Sequence, residues 1–426
     1  MFEKFFYCDP SNFIDEYAES VIFCDQITIR EHSYMDNSVI TPIFATSKNV
    51  DSTPGYPKFL VFDTEEDYLS TFGWREYIDV WNDKDTLNHR PLWWCFLKNE
   101  VLKKTKVQSN DIRMILCADP VFTRIGACYE QDQNNRMKQY TETKKAQVGW
   151  TPFFGGINRR IERLCKIQNP QFVELDWTRF DGTIPKELFW RIKQMRFFFL
   201  SERFRTSENK ARYDWYVKNL LEKLILLPTG EVCHIKKGNP SGQYSTTVDN
   251  NMVNVWLTAF EISYLYYVQK GELPSVSDYE RNVDFLCYGD DRLLAVSKDF
   301  VTYDPGKVIT MYKNIFGMWV KPENIKTSDS VEGLSFCGMT LVKTSKGFVG
   351  IPNVDKILTT LSDPVRKMPD VSALWGKLVS LRILCENCDN FVKDYLDKQI
   401  ENVKEFSISE GIELPEVGPN FFSRIW

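Results

Sequence analysis

Only three histidines, His32, His89 and His234, occur in the 426 residues, and the eleven cysteines are scattered with a single close pair, Cys385 and Cys388. A structural zinc site needs four ligands, usually from two such pairs, so this one is read as ordinary helix packing. Reduced thiols in a cytosolic compartment are the simplest expectation for the remainder. Long apolar runs are missing as well: nowhere do about 18 uninterrupted apolar residues occur, the length a membrane helix needs. The segment from Met1 to Tyr17 has no basic start leading into an apolar run and a cleavage site. The chain is therefore expected to be neither secreted nor membrane-spanning by its own sequence, with surface attachment through partners left open. An excess of positive charge is also lacking. Against 53 basic side chains stand 58 acidic ones, a formal net charge of -5, which argues against a surface coated for nonspecific nucleic-acid binding but leaves room for a locally basic channel. Internal repeats and low-complexity segments do not occur, so the organisation is read from punctuation.

What is present is apolar and aromatic material, 43% and 14% of the chain, ample for a core in a chain too long for the usual single domain. Two or three subdomains around one centre are expected. Residues 1 to about 165 mix short strands, loops and helices, with a turn at Ser52–Pro57 and lysines clustered at 98–106. Phe172 to Asp176 reads as a strand by alternation, and the segment from Pro185 into Phe199 as a helix with the proline near its start. A helix is expected from Thr246 to Gln269 or Lys270, stopped by Gly271 and rich enough in Val, Trp, Leu, Phe and Tyr to serve core packing. Val283–Tyr288 and Leu293–Val296 are apolar runs separated by Gly289-Asp290-Asp291-Arg292, the pattern of a β-hairpin with an acidic turn. Beyond about residue 346 the pattern turns helical, with Ile357, Leu358, Leu361, Leu374, Leu378, Leu381 and Leu384 in register, and suggests a separate lobe of about 80 residues.

The hairpin turn is the most informative element. Adjacent Asp290 and Asp291 between apolar strands repel each other unless cations neutralise them, and Mg²⁺ prefers carboxylate and phosphate oxygens. Taken alone, Tyr288-Gly289-Asp290-Asp291 also fits any surface turn. Asp176-Trp177-Thr178-Arg179-Phe180-Asp181 adds acids at the end of a strand, which alone could be a solvated loop. Ser241 to Asn250 sets a glycine-softened turn before a helix, which alone could be an N-cap made by Ser241 or Thr246.

Together the three segments, in this order and spacing, resemble the palm motifs of viral RNA-dependent RNA polymerases of positive-strand RNA viruses: two aspartates with four residues between, Ser-Gly-x-x-x-Thr-x-x-x-Asn, and Tyr-Gly-Asp-Asp. The wording Asp-Trp-Thr-Arg-Phe-Asp-Gly-Thr-Ile-Pro and Tyr-Gly-Asp-Asp-Arg-Leu is most similar to astroviruses, with picornavirus and calicivirus polymerases as cousins. The resemblance implies an α+β right hand: fingers over 1–165, a first part of the palm over 166–200, a fingers insertion over 201–240, the second part of the palm, antiparallel sheet plus helices, over 241–345, and a small helical thumb over 346–426. It further implies template-directed nucleotidyl transfer from ribonucleoside triphosphates, with two Mg²⁺ ions, replaceable by Mn²⁺, held by Asp176, Asp290 and Asp291.

Other roles follow from the same resemblance. Lys104, Lys106 and Arg113 would neutralise the triphosphate, although Leu102 stands where picornavirus-like polymerases carry a further arginine. Asp181, Ser241 and Asn250, with Thr246 in the same motif, would hold the ribose. Ser52, Thr53, Gly55 and Tyr56 look like the template-contacting loop. Leu334 to Gly338 resembles the primer-grip turn without its Lys-Arg pair. A lysine after the hairpin would give the proton to pyrophosphate, Lys326 fitting better and Lys321 staying in play. Partners implied are template and product RNA, a protein primer and other viral replication proteins, at membrane-associated replication complexes in the host-cell cytoplasm. Two rivals remain: a reverse-transcriptase-like polymerase, disfavoured by the polar set Asp181, Ser241 and Asn250, and a catalytically silent RNA-binding scaffold, disfavoured because all three carboxylates are present.

Overall fold

In the computed structural model, which describes residues 2–362, 364–365 and 367–426, helices surround three sheets. The strands run β1 (Leu92–Leu97), β2 (Met114–Cys117), β3 (Pro170–Asp176), β4 (Lys223–Leu226), β5 (Val232–Ile235), β6 (Val283–Tyr288), β7 (Asp291–Ser297), β8 (Ile325–Ser328), β9 (Ser335–Phe336), β10 (Met339–Thr344) and β11 (Gly347–Pro352). One sheet has the order β2-β1-β4-β5, with β1 parallel to β4, so the segment around the 98–106 lysines shares a sheet with residues 223–235. The central sheet, β6-β7-β3-β8, is antiparallel throughout. The third, β11-β10-β9, leans on it through β9.

Behind the central sheet lies the helix Thr246–Lys270, buried on nearly all sides along its first five turns. Its apolar residues fill the core, and its buried polar residues, Asp249 and Glu261 among them, are paired there. Here Trp256 and Phe260 meet Phe13 and Phe316, with ring centroids 4.8 to 6.2 Å apart, and the helix Ala18–Glu31 packs along it. Gly271 ends the helix with φ 81°, as expected from its ready access to the left-handed region.

The expected hairpin forms with a shorter turn. Tyr288 and Asp291 are ladder partners, so only Gly289 and Asp290 make the turn, Gly289 with φ 65°. Asp291 and Arg292 belong to β7, whereas the sequence reading put them in the loop. Their charge misled: Arg292 is fully buried and its guanidinium is neutralised from behind by Glu261 at 2.8 Å. The helix expected from Pro185 covers Lys186–Phe198, with Pro185 as its cap in extended conformation. After residue 346 the chain first completes β11; helices follow from Val354, and Cys385 and Cys388 are buried in the core of that lobe. All eleven cysteines are free thiols.

A square of buried charge ties three helices together. Lys193 bridges Glu130 at 2.6 Å and Asp249 at 2.5 Å, while Arg196 reaches Asp249 at 2.7 Å and Asn134 at 2.6 Å. All four ionised groups are buried. Removing one partner leaves an uncompensated charge in low dielectric, so Arg196→Met is expected to lower stability by about 3–5 kcal/mol in urea unfolding. A loss below about 1 kcal/mol, the range of an exposed pair, would show that the square is not what joins these helices.

Candidate active site

Alternation along β3 leaves Asp176 at its end, and the β3–β7 ladder sets Asp176 opposite Asp291, with Asp290 in the adjoining turn. Three carboxylates thus meet at one end of the central sheet. Burial, then the charges of Asp290 and Glu174, push Asp176 up to about 6 against the pull of Lys106. Asp291 is pushed up to about 7 by burial together with Asp290, Asp176 and Glu174, although the Cys337 N–H donates to it at 2.6 Å. Asp290 is raised by burial and Asp181, with Arg113 opposing.

Among the described residues no group of three or more His, Cys, Asp or Glu side chains is gathered closely enough to hold one ion. The donor chemistry still suits Mg²⁺, which takes one or two carboxylates and completes its shell with water and substrate phosphates rather than with a protein cage. Burial raises all three proton affinities and nearby carboxylates add to it, Asp290 and Glu174 at Asp176 and Asp181 at Asp290, and a divalent cation stabilises the ionised forms against both.

Beside the carboxylates, Asp181 and Ser241 are in contact, the Ser241 hydroxyl donating to the Asp181 carboxylate. Asn250 is buried and joins them indirectly, its Oδ1 accepting from Asn239 Nδ2 at 2.8 Å while the Asn239 N–H donates to the Asp181 carbonyl at 2.7 Å. Neither Ser241 nor Thr246 caps the helix. The cap residue is Ser245, whose side chain makes no capping bond, and the Thr246 hydroxyl, on the first helical residue, donates to the carbonyls of Pro240 and Gln243 at 3.0 and 3.1 Å.

The basic segment falls between β1 and β2. Arg113 pairs with Glu100, Nε to Oε1 at 2.6 Å, and Lys104 and Lys106 lie on the short exposed helix Lys104–Gln108. Lys326 sits on β8, in register with Glu174 of β3 and 3.2 Å from its carboxylate. Lys321 instead lies over the Trp319 ring at 5.2 Å. The turn after β9 touches the site itself, since Cys337, with φ 51°, supplies the N–H on Asp291. Farther off, Gly55 has φ 70° and its α-carbon faces Ala118 so closely that a Cβ would come within 2.9 Å of the carbonyl oxygen. The Ser52 hydroxyl accepts from Lys48 at 2.6 Å, the Thr53 hydroxyl accepts the Gly55 N–H at 3.3 Å, and Tyr56 lies 6.0 Å from Phe59 between ring centroids.

Sequence reasoning missed three residues that hold this site. Lys4, whose side chain is 8% exposed, bonds both oxygens of Asp181 at 3.0 and 3.1 Å from 177 residues away, and no local signal marks it. Asn254 donates to the Gly289 carbonyl at 2.9 Å, fixing the acidic turn. Arg292 anchors β7 on Glu261 and Thr258. For these last two a signal existed: Asn254, Thr258 and Glu261 form a polar stripe at one-turn spacing through the apolar middle of the helix.

A sequence model of the family described as "Viral RNA-dependent RNA polymerase" matches residues 1–400. The chain is 65% identical over its full length to the non-structural polyprotein 1AB of Turkey astrovirus 2, 60% to that of Turkey astrovirus 1, and 45% over 90% of its length to that of Human astrovirus-8. It spans about a quarter of each of these, 26% in all three cases. Its fold resembles a solved Sicinivirus 3Dpol RNA-dependent RNA polymerase with TM-score 0.71 at 15% identity, over 95% of this chain and 84% of that one. The fold is that of a right-hand polymerase.

The three raised carboxyls give a pH test. Each has a folded-state pKa above its ordinary value of 3.8, so its share of stability is full below that value and is lost as pH climbs, through about 6 for Asp176 and about 7 for Asp291. A cation binding the ionised form restores it. About 10 mM Mg²⁺ is therefore expected to raise the melting temperature more at about pH 8 than at about pH 5. An equal shift at both, read by differential scanning fluorimetry, would refute the site.

Proposed function

The chain belongs to the viral RNA-dependent RNA polymerase family, and from that premise we propose that it extends an RNA primer along an RNA template by two-metal nucleotidyl transfer from ribonucleoside triphosphates. The observation that carries this reading is the pairing of Asp176 with Asp291 around Asp290, next to the Asp181–Ser241 contact. Mg²⁺ bound there, with Mn²⁺ as a substitute, would lower the proton affinity of the primer hydroxyl and offset charge on the transferring phosphoryl group.

The residues of this chain do the rest. Asp176, Asp290 and Asp291 present an anionic cradle that a neutral site would lack. Lys104, Lys106 and Arg113 neutralise the triphosphate, Arg113 with a planar fork once it releases Glu100. Asp181, Ser241 and Asn250 hold the ribose, with Thr246 bracing the turn before the helix. Lys326 protonates the leaving pyrophosphate; its place on the strand beside β3 favours it over Lys321, which is committed to Trp319. Ser52, Thr53, Gly55 and Tyr56 guide the template. In this reading residues 1–165 and 201–240 are fingers, 166–200 and 241–345 palm, and 346–426 thumb; the sheet shared by β1, β2, β4 and β5 supports joining 201–240 to the fingers. Proposed partners are template and product RNA, a protein primer and other replication proteins. No described helix is long and apolar enough to cross a membrane. The proposed location is membrane-associated replication complexes in the host-cell cytoplasm, reached through partners.

The decisive experiment is metal-dependent incorporation of labelled UTP on poly(A) with an oligo(U) primer. Asp290→Asn and Asp176→Asn are expected to lower turnover roughly a thousandfold or more with the fold intact, because an amide coordinates Mg²⁺ poorly. A variant keeping a tenth of wild-type turnover at saturating Mg²⁺ would sink the assignment. For the sugar, wild type should prefer UTP over 2′-deoxy-UTP by roughly 10²- to 10³-fold, since a site built for a hydroxyl leaves its own polar groups unpaired without one. Asn250→Ala and Asp181→Ala should erode that ratio; an unchanged ratio in both would remove the ribose role.

A further inference from the structure

The loop between Asp176 and Asp181 contains a residue held where its own Cβ is unfavourable. Arg179 has φ 56° and ψ 44°, the left-handed region that glycine enters freely and that, Asn and Asp aside, other L residues seldom adopt. A turn selected only for its shape would carry glycine there, so an arginine kept in this conformation directs attention to its side chain. Two of that side chain's contacts bear on the site. Its Nη2 donates to Asp111 Oδ1 at 3.1 Å, both groups being only partly exposed, and its guanidinium stands 5.9 Å from the centre of the Trp319 ring. Trp319 is itself fixed: it stacks on Tyr7 at 4.7 Å and its carbonyl accepts the Thr178 N–H at 2.8 Å.

Asp111 belongs to the basic segment. Its N–H closes the turn after the helix Lys104–Gln108 by donating to the Lys106 carbonyl at 2.8 Å, and Arg113 follows two residues later. On the other side of the ion pair, Arg179 lies three residues beyond Asp176 and two before Asp181. One contact, between residues 68 apart in sequence, therefore joins the segment that carries the cations to the loop that carries the metal-site and ribose carboxylates. The fields of the two parts already overlap, with Lys106 acting on Asp176 and Arg113 on Asp290.

We infer that Arg179 is a positioning residue: through Asp111 it clamps the basic segment to the Asp176–Asp181 loop, so that the triphosphate and the ribose of one nucleotide are held in a single register. This rests on the polymerase reading above. Without the clamp both half-sites persist but are uncoupled, which weakens nucleotide binding more than it slows the chemical step once the site is full.

The test uses the full chain in the poly(A)/oligo(U) assay with UTP. Arg179→Gly suits the backbone, so its melting temperature is expected to equal or exceed wild type, while KM for UTP rises about fivefold, the scale of a partly exposed ion pair, and kcat stays within about twofold. Asp111→Asn should do the same, and the double variant should be no worse than either single one. The charge-swapped pair, Arg179→Asp with Asp111→Arg, should bring KM back to within about twofold of wild type, since aspartate tolerates the left-handed region. An unchanged KM in Arg179→Gly, with or without a drop in melting temperature, overturns the clamp, as does a double variant whose effects simply multiply; in both cases the polymerase reading stands. Should wild type itself fail to incorporate UTP, that reading falls and the clamp with it.

Discussion

Three carboxylates are held within one hairpin's width although each repels the others, and much of the surrounding structure answers that constraint. Burial first, and neighbouring carboxylates second, raise the proton affinities of Asp176, Asp290 and Asp291. Separation is prevented by bonds to backbone as well as side chain. Asn254 grips the carbonyl of Gly289, Cys337 gives its N–H to Asp291, and Asn324 donates to the carbonyl of Asp176 at 3.0 Å. None of these uses up a whole carboxylate, so oxygens remain for cations.

Behind the hairpin the helix Thr246–Lys270 performs two tasks that its composition sets against each other. Its apolar residues fill the core, while Asn254, Thr258 and Glu261 index the hairpin. Glu261 is fully committed: each oxygen bonds Arg292, at 2.8 and 2.9 Å, and each also takes a tyrosine hydroxyl, Tyr303 at 2.5 Å and Tyr312 at 2.6 Å. Arg292 in turn lies 5.2 Å from the centre of the Trp177 ring, next in sequence to Asp176. A hydrophobic replacement of similar volume could be as stable. It would not specify which residue of β7 lies against Trp177, and hence which carboxylates meet.

How much of this was legible in the sequence depended on whether the cause was local. The helix from Thr246 to Lys270 could be delimited almost to the residue because its stop is one glycine, and β3 and the hairpin were marked by apolar alternation and by Gly289. The start of β7 was misread because charge in a sequence looks like solvent exposure, whereas Arg292 is paired with Glu261 in the core and Asp291, half-buried, accepts the Cys337 N–H. Contacts closed by tertiary structure gave no sign at all. The parallel β1–β4 pairing joins segments more than a hundred residues apart, and Lys4 reaches Asp181 across 177 residues. Among the expected site residues, Asp176, Asp290, Asp291, Asp181 and Ser241 do come together, and Asn250 arrives through Asn239, a link no motif spells out.

The β3–β7 register explains why this site tolerates an arginine beside its acids. In an antiparallel ladder, partners share a face and neighbours along a strand do not. Asp176, Asp291 and Glu174 therefore face the same way, toward β9 and the turn after it, where Ser335 of β9 holds Glu174 with its N–H at 2.9 Å and its hydroxyl at 2.7 Å. Leu175 and Arg292, also partners, face the opposite way, into the core and toward Glu261. A slip of one residue would exchange the faces. Asp291 would then be driven among Trp177 and the tyrosines around Glu261, and Arg292 would enter the acidic cradle and neutralise it in place of a cation. The buried Arg292–Glu261 pair and the exposed acidic cluster are thus alternatives for the same strand, and fixing one in the core is what leaves the other open to substrate.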